Sequence, residues 1–154
     1  MSERFFPRDD YFMQLALREA VRALEHDDVP IGAVLVSGGE VLAAAHNERE
    51  LRQDPTAHAE IIALREAAKA AGTWRLIDTI LYVTLEPCAM CAGAIVLARV
   101  GRVVFGATDP KAGACGSVLD VLDEPRLNHR PDVSGGLLAP ACGGLLSDFF
   151  ASRR

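Results

Sequence analysis

Four side chains in two short runs carry the most chemistry in this 154-residue sequence: His58 and Glu60 in Thr56-Ala57-His58-Ala59-Glu60, and Cys88 and Cys91 in Pro87-Cys88-Ala89-Met90-Cys91. One imidazole and two thiolates form a ligand set that zinc prefers, and three protein ligands leave the fourth tetrahedral position to water or hydroxide. Cys88 and Cys91 stand three residues apart, so on a helix both sulfurs point the same way and can reach one ion. Pro87 suits the first position of such a helix, whose unpaired N–H groups favour thiolate over thiol. Zinc lowers the pKa of a bound water to about 7. A carboxylate two residues from a ligand, as Glu60 is, can take that water's proton and pass it on. Residues two apart do not share a face of a regular helix. His58 is therefore expected at the very first turn, where the backbone still departs from the helical path. Two helix N-termini would then converge on one metal, each favouring negative charge there.

Other readings follow from the same residues. A fourth protein ligand would close the tetrahedron and make the site structural. Cys115, Cys142, His46 and His129 are candidates by type, although Cys142 falls on an apolar helix face and suits the core. Cys-x-x-Cys alone could be a redox pair, but His58 and Glu60 would then lack a role. Glu60 is what separates a catalytic centre from a structural zinc module that merely binds RNA.

The elements around these residues can be read from periodicity. Met13, Ala16, Leu17, Ala20, Val21 and Leu24 share one face of a helix over 10–27, with Asp9 or Asp10 able to cap its start. Ile31 to Val36 and Glu40 to Ala45 read as strands around the turn Ser37-Gly38-Gly39. Asp54-Pro55-Thr56 carries helix-start signals for a helix that stops at Gly72. Ile80 to Leu85 reads as a strand, Ala89 to Val100 as a helix apolar on nearly every side, and Val103 to Phe105 as a strand. The glycine-bearing stretch from Ala107 to Ser117 has the length of a functional loop. Ala141, Cys142, Leu145, Leu146, Phe149 and Phe150 lie on one face of a last helix. Helix, hairpin, then alternating strand and helix predict a three-layer α/β domain whose later strands run parallel by right-handed crossovers.

Residues 1–154 are expected to form a single domain. No apolar run approaches the roughly 20 residues needed to cross a bilayer. The charged start, broken by Pro7, does not read as a secretory signal, so a cytoplasmic location is expected and disulfides are not. A net charge of −5 argues mildly against broad nucleic-acid affinity but leaves room for a local basic patch.

The pattern His-x-Glu followed by Pro-Cys-x-x-Cys is the established signature of zinc deaminases. The surrounding blocks narrow the match: Val29-Pro30-Ile31-Gly32-Ala33-Val34, His46-Asn47, Tyr82-Val83-Thr84-Leu85, Asp109-Pro110-Lys111-Ala112-Gly113, Leu127-Asn128-His129 and Ser147-Asp148-Phe149-Phe150. With these, the chain resembles the bacterial tRNA-specific adenosine deaminases from about residue 10 onward. The resemblance implies a cytidine deaminase-like α/β/α fold with a central five-stranded mixed sheet, one zinc per subunit, a homodimer, and no organic cofactor. It further implies hydrolysis of adenosine to inosine at the wobble position of a tRNA anticodon stem-loop, usually of an arginine tRNA. By that likeness Glu60 moves the proton, Asn47 bonds the purine edge, and the Ala59 N–H meets the oxygen developing at C6. Asp109 approaches a sugar hydroxyl; Lys111, Arg153 and Arg154 suit phosphate. Deaminases of free guanine keep His-Ala-Glu and are the nearest alternative.

Overall fold

The structure, a computed structural model, describes residues 4–153. Helix α1 (Asp9–Arg22) continues as a 3-10 turn over Ala23–His26 and ends at Asp27, whose φ of 60° breaks the spiral. Then follow β1 (Gly32–Ser37), β2 (Glu40–His46), the single turn α2 (Arg49–Arg52), α3 (Ala59–Ala71), β3 (Thr79–Leu85), α4 (Ala89–Ala98), β4 (Arg102–Ala107), β5 (Asp132–Gly135) and α5 (Ala139–Ala151). The strands form one sheet in the order β2-β1-β3-β4-β5. β1 is antiparallel to β2 and β3, whereas β3, β4 and β5 run parallel. The mixed five-stranded sheet of the deaminase fold is therefore present, with the expected hairpin at one end. Gly38 and Gly39, at φ 58° and 80°, supply the two left-handed positions that a tight hairpin turn requires.

Alternation along the strands divides the core. Ala33 and Leu35 of β1, Leu81 and Val83 of β3, and Val103 and Phe105 of β4 pack with α3 and α4. Val34, Val36, Tyr82 and Val104 point the other way, onto Phe12, Met13 and Ala16 of α1 and Cys142 of α5. Burial on both faces explains why these strands read as unbroken apolar runs. Gly32 permits the close approach of α1: a Cβ there would lie 1.9 Å from the Ala16 carbonyl oxygen.

The boundaries shift in informative ways. Arg8, not Asp9 or Asp10, occupies the N-cap of α1. Asp54 caps only its own turn, accepting from the Thr56 N–H and hydroxyl, so α3 starts at Ala59 rather than near Pro55. Pro87 precedes α4 instead of opening it, because Cys88 is the N-cap. That helix stops early, at Arg99, which turns left-handed at φ 64°. β5 has only four residues, two of them Ser134 and Gly135, and carries almost no strand signal of its own.

Asp9 has a larger task than capping. Its carboxylate is 1% exposed and receives both guanidinium nitrogens of Arg102 at 2.8 Å, the Tyr82 hydroxyl at 2.6 Å and the Phe6 N–H at 2.7 Å. One carboxylate thus ties the start of α1 to β3 and β4. Burial alone would raise its pKa, but the bonds from Arg102, Phe6 and Tyr82 outweigh it and hold Asp9 below the usual value of 3.8. The stabilisation is therefore complete at neutral pH and is lost as pH falls through that depressed value. Asp9→Asn should cost about 3–5 kcal/mol in denaturant unfolding at pH 7, since it leaves Arg102 buried without its counter-charge. The gap to the parent protein should narrow as the pH is lowered past 3.8.

Candidate active site

His58 and Cys88 occupy equivalent places at the starts of α3 and α4. Both have extended backbones at the N-cap, with φ/ψ of −76°/151° for His58 and −76°/176° for Cys88. The expectation that His58 stands where the chain has not yet become helical is met, one step earlier than the first turn. This kink lets residues 58 and 60 aim at one point. Cys91 lies three residues into α4, fully buried. The His58 Nδ1 is 3.7 Å from Cys88 Sγ and 3.5 Å from Cys91 Sγ. A tetrahedral ion about 2.0 Å from nitrogen and about 2.3 Å from sulfur would hold them about 3.5 Å apart. The three atoms fit such a centre with little movement.

A hydrogen bond from Cys91 and the His58 imidazole hold the Cys88 thiol down to about 3, while Cys91, bonded to Cys88 and buried, is pushed up. The bond to Cys88 raises the His58 pKa. Glu60 is 4% exposed beside them, and burial pushes its carboxyl up to about 7. Among the described residues, His58, Cys88 and Cys91 form a candidate metal cluster with no fourth protein ligand. Cys115 is buried near Pro87, Cys142 packs against β4, and the His129 Nε2 donates to the Val100 carbonyl at 2.7 Å. His46 belongs to a different cluster.

A cleft of about 550 Å³ opens over His58, Glu60 and Cys88, and Asn47, Asp109, Lys111 and Phe150 also line it. Asn47 is buried, and its Oδ1 accepts the Ala59 N–H at 2.9 Å. The Ala59 N–H, expected to meet the oxygen developing at C6, is thus donated to Asn47 in this structure. The bond also fixes the Asn47 amide by its oxygen, leaving the Nδ2 hydrogens as its donors. The Asp109 Oδ1 accepts the N–H groups of Lys111 and Ala112 at 3.0 and 3.2 Å, which shapes the rim of the cleft. Arg153 lies outside the cleft, ion-paired with Asp27 and stacked 4.0 Å from the Phe149 ring. Phe149 is buried and Phe150 half exposed, so one packs and the other faces the cleft. Arg154 lies outside the described residues.

One residue escaped the sequence reading. Glu86, 2% exposed, accepts the N–H groups of Asp109, Cys115 and Ser117 at 3.0–3.1 Å, and the Ser117 hydroxyl as well. Burial would raise its pKa, but the Ser117 hydroxyl and the three N–H groups hold it low. This one anion folds the 109–117 loop against the start of α4. A Glu next to Pro-Cys was a visible signal, but its partners lie more than twenty residues away. Glu86→Gln keeps the shape and removes the charge; it should raise KM more than it lowers kcat, because it loosens the rim without touching the metal ligands.

Comparisons with known proteins agree with this geometry. The MafB19-like deaminase family matches residues 7–154. A tRNA-specific adenosine deaminase of Bacillus subtilis (strain 168) is 54% identical over 147 residues, covering 96% of this chain and 91% of the relative. A solved structure from studies of A-to-I editing by tRNA:A34 deaminases at the wobble position of transfer RNA superposes with a TM-score of 0.85 at 49% identity, over 88% of this chain and 99% of that one. A guanine deaminase of Bacillus subtilis gives a TM-score of 0.64 at 34% identity, over 94% of this chain and 92% of that one. The family match over residues 7–154 and relatives of 49–54% identity over most of the chain place it in the MafB19-like deaminase family, among the tRNA-specific adenosine deaminases.

Proposed function

We propose that this enzyme hydrolyses adenosine to inosine at the wobble position of a tRNA anticodon loop, with zinc held by His58, Cys88 and Cys91. The observation that carries the proposal is a buried Glu60, raised to about 7, beside a three-ligand cluster that leaves one position open. Zinc bound there supplies a hydroxide equivalent near neutral pH, since it can bring the pKa of water to about 7. Glu60 does the proton work. Its raised pKa lets it accept a proton from water and return one to ring N1, as acid–base catalysis near neutral pH requires. The Asn47 Nδ2 donates to the purine edge, its oxygen being fixed by Ala59. With the Ala59 N–H committed to Asn47, a zinc ion held by His58, Cys88 and Cys91 would be the group to meet charge developing at C6. The target base must leave the loop's stack to reach the cleft, and Phe150 offers an aromatic face to it. Asp109 and Lys111 stand at the rim, where a sugar hydroxyl and a phosphate would pass.

Arg153 contributes to RNA binding only by releasing Asp27, which makes it the weakest of the expected contacts. No helix among the described residues is long and apolar enough to cross a membrane, which is compatible with the cytoplasmic location of tRNA editing. An arginine tRNA is the substrate that the family resemblance favours. A homodimer is expected through the apolar surface of α3 and α4, where Trp74 and Leu97 are 56% and 70% exposed. Guanine deamination is the second reading, and the 34% identical guanine deaminase is its support.

Incubating the zinc enzyme with a stem-loop bearing adenosine at the wobble position, beside free guanine and cytidine, should yield inosine in the stem-loop alone. Xanthine from guanine would favour the second reading. Glu60→Ala should retain zinc while deamination falls by about 10²–10⁴-fold; turnover at the parental rate would remove Glu60 from the mechanism. Leu97→Glu should convert a dimer into a monomer in light scattering.

A further inference from the structure

A second cluster of metal-ligand types lies at the C-terminal end of β2. The His26 imidazole, the His46 imidazole and the Glu48 carboxylate place ligand atoms within 4.8 Å of one another. They come from three places: the end of the 3-10 turn, the last residue of β2 and the approach to α2. His46 is the central member. It is 7% exposed, and its Nδ1 lies 2.9 Å from the Glu19 Oε2. A carboxylate only accepts, so Nδ1 carries the hydrogen. The Nε2 is left to take a cation, a proton or a metal ion, and it is a buried atom with no hydrogen-bond partner. It faces the Glu48 Oε1 at 3.7 Å, too far for a hydrogen bond.

A buried acceptor opposite a carboxylate is an unfavourable arrangement unless a cation sits between them. The neighbours are already committed elsewhere. The Glu19 Oε1 accepts from Arg22, and the Glu48 Oε2 accepts from the Arg52 Nε at 2.6 Å. Each carboxylate therefore turns its other oxygen toward His46. A carboxylate bound to the Nδ1 of a histidine whose Nε2 points into a ligand cluster is the usual support of a metal-bound imidazole. His26 is half exposed and stacks on His46 with ring centroids 5.4 Å apart. The rings are nearly parallel, 19° apart, so His26 would turn out of this stack to aim a ring nitrogen at the ion. A cleft of about 680 Å³ runs beside Glu19, His46 and Glu48 and admits an ion from solvent.

We propose that His26, His46 and Glu48 form a second divalent-metal site, suited to zinc, with Glu19 orienting His46. Two imidazoles and one carboxylate, with water in the fourth position, match zinc's preferred donors without any sulfur. The ion would fasten the end of the 3-10 turn to the residue that precedes Asn47. It is separate from the His58 cluster and does not depend on the substrate assigned above.

The test uses the full-length chain and zinc alone. Metal-stripped protein dialysed against buffered micromolar zinc should carry two ions per chain by elemental analysis. His26→Asn and Glu48→Gln should each carry one, a halving of the metal content. Cobalt should distinguish the two sites: one ion gives a thiolate charge-transfer band, the other does not, and His26→Asn loses only the second. Circular dichroism and retained activity of His26→Asn would show that the loss is not unfolding. A single ion in the parent protein, or two ions in both variants, would overturn the proposal; in the first case the cation beside His46 is a proton.

Discussion

Two helices must begin at the same point in space, and most of the architecture serves that requirement. The His58 nitrogen stays 3.5–3.7 Å from two sulfurs only if His58 and Cys88 are both held at helix N-caps facing one another. β3 delivers Cys88, because it ends at Leu85 and the chain turns into α4 within three residues. The β1–β2 hairpin and α2 deliver His58 through the Asn47–Ala59 bond. The parallel pairing of β3 with β4 then opens the 109–117 loop at the same edge of the sheet, where ligands of open α/β sheets characteristically bind.

Two glutamates near this edge show how environment decides the behaviour of one residue type. Both are almost fully buried. Glu86 is surrounded by three N–H groups and a hydroxyl, and its charge is stabilised. Glu60 has burial without that set of donors, and its carboxyl rises to about 7. The first holds a loop in place; the second is free to exchange a proton. Asp9, at the opposite end of the strands, belongs with the first type and locks the sheet to α1.

The chemistry was legible in the sequence because it lies in short runs. His58, Glu60, Cys88 and Cys91 are near neighbours in two stretches, and their spacing already required an irregular backbone at residue 58. The strands of the sheet's centre were legible because burial on both faces leaves continuous apolar runs. What escaped is long-range. Asp9 read as a helix cap, since nothing local reveals that Arg102 and Tyr82 converge on it. Glu86 passed unnoticed, and Ala59 read as a free donor, because their partners lie in distant segments. β5 was hidden by its brevity and by Gly135, which lies so near the Phe105 ring that a Cβ would meet it at 2.3 Å.

The loop that Glu86 gathers is closed by contacts to both its ends, residues 109 and 117, and to Cys115 between them. It is therefore a fixed-length ring, not a tether. A residue added inside it would move at least one donor off the carboxylate, whereas the chain from Glu124 to Pro131 bears no such link to Glu86. Variation in length among relatives should accordingly accumulate after the ring, and the contour of the cleft's rim should change by residue type instead of by loop size.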